Sequence, residues 1–189
     1  GDEILTTDHA YAACKNAIDF VAERAGARVV VAALPIPLSG EDEAVDAIVS
    51  RATARTKLAL IDHVTSQTAT VLPIDAIVAA LDARGIDTIV DGAHAPGMVS
   101  LDLEKTRAAY STGNCHKWLC APKGSAYIHV RADRRALVRP LTISHGAKLD
   151  RTDRARFALE FDWPGTWDPT PVLVIPACLA FLEKTWPGG

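Results

Sequence analysis

Two segments of the 189-residue chain gather the residue types from which covalent chemistry is built. The first, IVDGAHAPG at 89–97, is an apolar run that ends in Asp91 and carries His94 three residues later. The second, GNCHKWLCAPKG at 113–124, sets Lys117 beside His116, twenty-six positions after Asp91. An apolar strand running into Asp-Gly usually marks no more than a turn. A carboxylate at a strand end followed by a lysine next to a histidine is more specific. To attack a carbonyl, Lys117 must present a neutral amine, which calls for a partly desolvated site near other positive groups; lysine meets that condition because its pKa shifts readily. Lys123 is the rival amine, but it sits in APKG, a turn signature that favours a solvent-facing role. Cys115 and Cys120 beside His116 raise the alternative of zinc, yet no matching second pair follows, so no metal is expected.

In combination, the Asp-x-x-His and Asn-x-His-Lys segments resemble the class V aminotransferase family, fold-type I enzymes that use pyridoxal 5'-phosphate (PLP), and within it the isopenicillin N epimerase-like branch. The likeness runs from Thr6 to Leu182. It implies that Lys117 links the cofactor and that Asp91 holds its pyridine nitrogen, through a charge-assisted bond worth about 1.5–3 kcal/mol that deepens the electron sink. By position, His94 and Ser66 in HVTSQTATVLP would contact the phenolic oxygen, and Asn114 and His116 would help hold the phosphate. The DHAYAA segment at 8–13 would supply the group stacked on the pyridine face, either His9 or Tyr11, with Tyr11 preferred. WPGTWDPT at 163–170 resembles a W-x-G-T-x-D-P signature whose Gly-Thr reaches the phosphate of a neighbouring subunit, so Thr166 implies a homodimer with shared active sites. Trp167 stands where close relatives can carry Arg, a departure that bears on how a substrate carboxylate is held.

The resemblance leaves the reaction open. An epimerase acting at the α-carbon of an amino acid or small peptide is the first reading. A carbon-sulfur lyase or desulfurase, an aminotransferase and a truncated non-catalytic paralogue are the alternatives. A desulfurase needs a nucleophilic cysteine on a mobile loop, and the loop expected at 144–160 has none. Members of the family also carry an N-terminal segment and a C-terminal small domain without counterpart here, so residues 1–189 are expected to be part of a large, PLP-binding domain.

The elements that must position these residues follow from periodicity. Ala17, Ile18, Val21 and Ala22 recur at helical spacing before Gly26 and predict a helix over 10–25. The β-branched run Ala27 to Leu34 predicts a strand buried on both faces. Helices follow over 41–52 and 74–84, strands over 57–64, 86–90 and 125–130, and a last helix over 172–184. This alternation predicts an α/β fold, a mostly parallel sheet flanked by helices like the large domain of PLP-dependent transferases, with function at the carboxyl ends of the strands. His63, Ser66, Asp91 and His94 fall at such ends.

Composition excludes several classes. With 20 basic against 23 acidic residues there is no bulk positive field to gather nucleic acid. The basic stretch Arg131, Arg134, Arg135 and Arg139 also carries Asp133 and reads as a solvated helix face. No apolar run reaches the roughly 18 residues of a membrane span. The four cysteines form no C-x-x-C pair, and a cytoplasmic setting is expected.

Overall fold

The computed structural model describes residues 1–186. Its six-stranded sheet runs in the order β2 (Arg28–Ala32), β1 (Glu3–Thr7), β3 (Thr56–Asp62), β4 (Asp87–Asp91), β5 (Tyr110–Asn114) and β6 (Ala126–Val130). The first five strands are parallel and only β6 is antiparallel, paired to β5. The parallel strands are joined through α1 (Ala12–Ala25), α2 (Glu41–Val49), α3 (Ile74–Asp82) and the short α4 (Leu103–Thr106). Among the described residues no helix is long and apolar enough to cross a membrane.

The main core lies between α2 and α3 and one face of the sheet, where Leu5, Ala59, Ile61 and Val90 meet Ile48, Ile77 and Leu81. Side chains alternate across a strand. With Ile61 and Val90 committed to this core, the next residues, Asp62 and Asp91, point to the opposite face. That alternation, at the carboxyl ends of two adjacent strands, creates the site.

Several sequence expectations need correction. The valine run of β2 lies at the sheet edge and is only half-buried, because β1 covers one side of it and no strand covers the other. Along α1 only Ala22 is buried, and Val21 faces outward, so the apolar stripe is largely uncovered. The basic stretch begins with a 3-10 turn, Ala132–Leu137, rather than a solvated helix face: Arg131 and Arg134 are tied to Asp82, Asp87 and Asp133. The 144–160 segment, expected as a mobile loop, holds a 3-10 turn, His145–Lys148, and a helix, α5 (Arg156–Phe161). Two contacts order it. Gly146 lies so close to the Leu159 backbone that a Cβ would overlap its carbonyl oxygen, and buried Glu160 is bonded by Arg139 and Arg156. The helix expected over 172–184 is two, α6 (Thr170–Leu173) and α7 (Ile175–Thr185).

Periodicity also missed β1 and β5. β1 reads EILTT, with no alternation because all five residues are buried, Glu3 included. Glu3 accepts from Arg28, Arg55, Thr53 and Thr56. The bonds from Arg28 and Thr53 outweigh the cost of burial and hold its carboxyl down to about 2 from an ordinary 4.5. An acid whose pKa is depressed by folding adds stability above its unfolded value, and that stability is lost as pH falls through the folded one. The urea midpoint should therefore drop as pH falls from about 4.5 toward about 2. Glu3→Gln should lower stability at neutral pH and flatten that acid slope. An unchanged slope in the variant would remove Glu3 from this role.

Candidate functional site

Parallel register sets the first part of the site. Asp62 on β3 lies opposite Asp91 on β4, and Asp91 opposite Thr112 on β5. The strand ends are locked by the backbone: His63 N–H donates to Asp91 O at 2.9 Å and Gly92 N–H to Thr112 O at 2.9 Å. Asp91 Oδ1 then accepts the Ala93 N–H at 3.0 Å, closing the turn that carries His94. Its Oδ2 accepts the Cys14 thiol of α1 at 3.3 Å. Burial and the charge of Asp91 push that thiol up to about 11, so Cys14 is a donor here and not a nucleophile.

Lys117 enters from the turn after β5. Cys115 N–H donates to Ser125 O and Cys120 N–H to Lys117 O, folding the turn back on itself. Cys115, Leu119 and Ala121 pack on Tyr127 of β6 and on Ile175, Cys178 and Leu182 of α7, which anchors the turn from below. From above it meets Gly97. At φ 83°, that glycine sits where a Cβ would lie 2.6 Å from the Trp118 carbonyl group. The IVDGAHAPG loop and the lysine turn are thus in backbone contact, which is why two segments so far apart in sequence act together.

The consequence is a compact polar group. Lys117 Nζ lies 3.3 Å from His94 Nε2, and Trp118 Nε1 donates to His94 Nδ1 at 3.1 Å, leaving Nε2 as the face turned to the amine. Burial first, and then the nearby Lys117 charge, lower the His94 pKa, so the ring is neutral near pH 7. Lys117 is half-buried, while Lys123 is exposed in its turn as expected. Asp62 completes the group with 2% exposure and an Oδ1 that has no partner among the described residues. A polar cavity of about 500 Å³ lined by His63, Asp75, Lys105 and Thr106 lies outside the group, since none of Asp62, Asp91, His94 and Lys117 lines it.

Of the residues singled out in the sequence, Asp91, His94 and Lys117 come together. Asn114, half-buried, ends β5 three residues before the lysine, and His116 turns its Nδ1 to Ser125 O at 2.8 Å. Ser66 is exposed in the loop after β3 and joins no hydrogen bond of the cluster. In that loop Thr65 and Thr68 bond each other, and Thr68 meets His9 Nδ1 at 3.2 Å. Tyr11, half-exposed, opens α1, and its backbone amide faces Asp62. Thr166 is exposed between α5 and α6, apart from the cluster. Sequence reasoning missed Asp62, Cys14, Gly97 and Trp118. A signal existed for Asp62, because LALID, like DTIVD, is an apolar strand ending in Asp. Cys14 carried none. Among the described residues no group of three or more His, Cys, Asp or Glu side chains stands close enough to hold a metal ion.

Comparison with known proteins shows what the chain is similar to. Residues 1–160 match the aminotransferase class-V family. The isopenicillin N epimerase of Amycolatopsis lactamdurans is 36% identical over 96% of this chain and 48% of its own length. A probable chloroplastic L-cysteine desulfhydrase of Arabidopsis thaliana is 32% identical over 97% of this chain and 40% of its own. The chain therefore spans about half the length of the curated relatives it matches or less. Among solved structures, a C-DES variant with glycine covalently linked to its PLP cofactor superposes with a TM-score of 0.81 at 24% identity, over 97% of this chain and 50% of that one. The cysteine desulfurase CsdA of Escherichia coli gives 0.81 at 20% identity, over 97% and 46%. These structures share the fold.

The contact of Gly97 with Trp118 is open to test. Gly97→Ala combines a positive φ with a backbone overlap and should cost about 2–5 kcal/mol. Gly85→Ala is the control: φ is 71° but nothing lies within 4 Å of a Cβ, so only the left-handed penalty of about 1–2 kcal/mol applies. Urea melts should rank Gly97→Ala as the more damaging. Equal losses would mean that Trp118 does not press on Gly97.

Proposed function

The chain belongs to the aminotransferase class-V family, and from that premise we propose that it is the PLP-binding part of an enzyme acting at the α-carbon of an amino acid, with the epimerase-like reaction as its first reading. The observation that carries the proposal is the meeting of Asp91, His94 and Lys117 from separate strand ends. The residues suit the cofactor. A carboxylate on the floor of the site is the acceptor a ring N–H requires, a half-buried amine beside a neutral imidazole is the nucleophile an aldehyde requires, and Asp62 leaves a buried oxygen bare. Bound there, PLP would supply an electron sink for the pair released at the α-carbon.

Each residue then has a task. Asp91 would accept the ring N–H in a charge-assisted contact. Lys117 would hold the cofactor through Nζ, and the same amine would serve as the base for the α-proton. His94, 3.3 Å away, orients that amine and contacts the phenolic oxygen together with Ser66. Asn114 and His116 help hold the phosphate, with His116 oriented by its bond to Ser125 O. Thr166 serves the phosphate of a second copy, which makes the enzyme a homodimer. The uncovered apolar side chains of α1 and α7, Phe20, Val21, Leu179 and Phe181, are surface that another part of the protein or another subunit would cover. An epimerase must also return a proton from the opposite side. Because His94 shares the lysine's side, Tyr11 on α1 is the remaining candidate for that donor. Between His9 and Tyr11 as the stacking group, His9 is the one held by a side-chain bond, to Thr68.

A carbon-sulfur lyase is the second reading, favoured by the desulfhydrase relative at 32% identity. It needs the same Asp91 and Lys117, and no cysteine nucleophile.

Lys117→Ala should abolish the borohydride-reducible link to PLP, and peptide mapping should locate that link on Lys117; finding it on Lys123 would sink the assignment. Asp91→Asn should still bind PLP but lose turnover by roughly two orders of magnitude, since an amide cannot hold the ring charge. The reaction itself is read in deuterated water. An epimerase places deuterium at the α-carbon with scrambled configuration, without releasing sulfur or accumulating the amine form of the cofactor. Sulfide from a thio-substrate would establish the lyase instead, and incorporation with full retention would remove the epimerase reading.

A further inference from the structure

Asp62 has no task in the reaction described above, yet it is among the least exposed charged residues of the chain, at 2%. It stands in register with Asp91, both side chains on the same face of the sheet. The two carboxyls are unequally served. Asp91 receives a donor at each oxygen, the Ala93 N–H and the Cys14 thiol. Asp62 has the Tyr11 amide facing it, and its Oδ1 has no partner among the described residues. The groups facing Asp62 are Asp91 on β4, Lys117 on the turn after β5, and the Cys14 thiol and Tyr11 amide on α1. One cation and one carboxylate already face each other across this space, so a second buried negative charge would have no counterion of its own.

We propose that Asp62 carries the proton of a buried carboxyl pair, leaving Asp91 as the single charged acceptor, and so acts as a positioning residue for the site. Two neighbouring buried carboxyls do not both ionise easily, and the proton settles on the one whose charged form is less well bonded. Here that is Asp62, with its bare oxygen. Burial, and then the charge of Asp91, push its carboxyl up to about 7. The consequence for catalysis rests on the reading of Asp91 as the ring-nitrogen acceptor. With Asp62 neutral, Asp91 faces the ring with one negative charge; with Asp62 ionised, the pair would bind the ring proton more tightly and draw the Lys117 ammonium into a salt bridge. Asp62 would thereby set the alkaline limit of the site.

The sign for stability is fixed. An acid whose pKa is raised by folding adds stability that is fully present below about 3.8 and is lost as pH rises through about 7. Asp62→Asn, nearly isosteric, removes that loss.

The test is a carboxyl-carbon NMR titration of the purified protein before and after PLP is added. The wild type should show one aspartate titrating near neutrality before PLP is added. The step should vanish in Asp62→Asn and move toward acid by a unit or more in Asp91→Asn, because the neighbouring charge is gone. Between about pH 4 and 7 the urea midpoint of the wild type should fall relative to that of Asp62→Asn. If every aspartate titrates below pH 5, or if the near-neutral step survives in Asp62→Asn, the proposal fails. A step unmoved in Asp91→Asn also overturns the pairing, and this arm decides the matter if Asp62→Asn does not fold. Borohydride labelling separates the two readings: a titrating pair without a Lys117 link would retain the pair and refute the cofactor assignment. With PLP bound, the pH midpoint of the cofactor absorbance should shift in Asp62→Asn, and an unshifted midpoint would deny Asp62 its influence on the site.

Discussion

The site depends on one constraint, the alternation of side chains along two parallel strands held in register. Ile61 and Val90 are drawn into the core by the apolar faces of α2 and α3. Their neighbours Asp62 and Asp91 have no choice but the other face, at the same height and on adjacent strands. Hydrophobic burial on one side of the sheet thus places two carboxyls together on the other. A one-residue slip of either strand would reverse both sets and expose Ile61 or Val90. The electrostatic cost of the carboxyl pair is borne by the same packing that creates it.

The lysine reaches this place by a second means, close approach of backbone to backbone. Gly97 has no side chain to hold the turn away from Trp118, and Cys115 and Leu119 fasten the turn to Tyr127 and α7. A lysine has several rotatable bonds and would otherwise sample many positions; here both ends of its turn are fixed before the side chain begins. Trp118 then uses its indole N–H to orient His94, and His94 offers its remaining nitrogen to Lys117. The order runs from glycine to turn to indole to imidazole to amine, each step removing freedom from the next.

Membership of the aminotransferase class-V family fits this economy. The fold supplies strand ends, and the chemistry is carried by a few side chains placed there. The relatives at 36% and 32% identity are named for different reactions, an epimerase and a desulfhydrase. The proposal for the Asp62–Asp91 pair concerns how a proton would be held beside that site.

Much of this was legible in the sequence. The helical period preceding Gly26 and the apolar run ending in Asp91 predict an α/β sheet with a carboxylate at a strand end, because periodicity and turn residues are local and act over a few positions, while Lys117 was singled out by the resemblance of its segment to the family. β1 and β5 were not legible: EILTT and YSTGN carry polar residues into buried positions, and Glu3 is satisfied by Arg28 and Arg55, partners that only the fold brings near. The order in the 144–160 segment rests on Gly146 meeting Leu159 and on Glu160 meeting Arg139. Nor does the sequence say that Asp62 stands beside Asp91 or that Cys14 bonds to it. Residue types and local spacing are written along the chain and determine which chemistry is available. Register, burial and the pairing of charges distant in sequence arise only when strands align and water is excluded, and these decided which carboxyls stand together and how each is bonded.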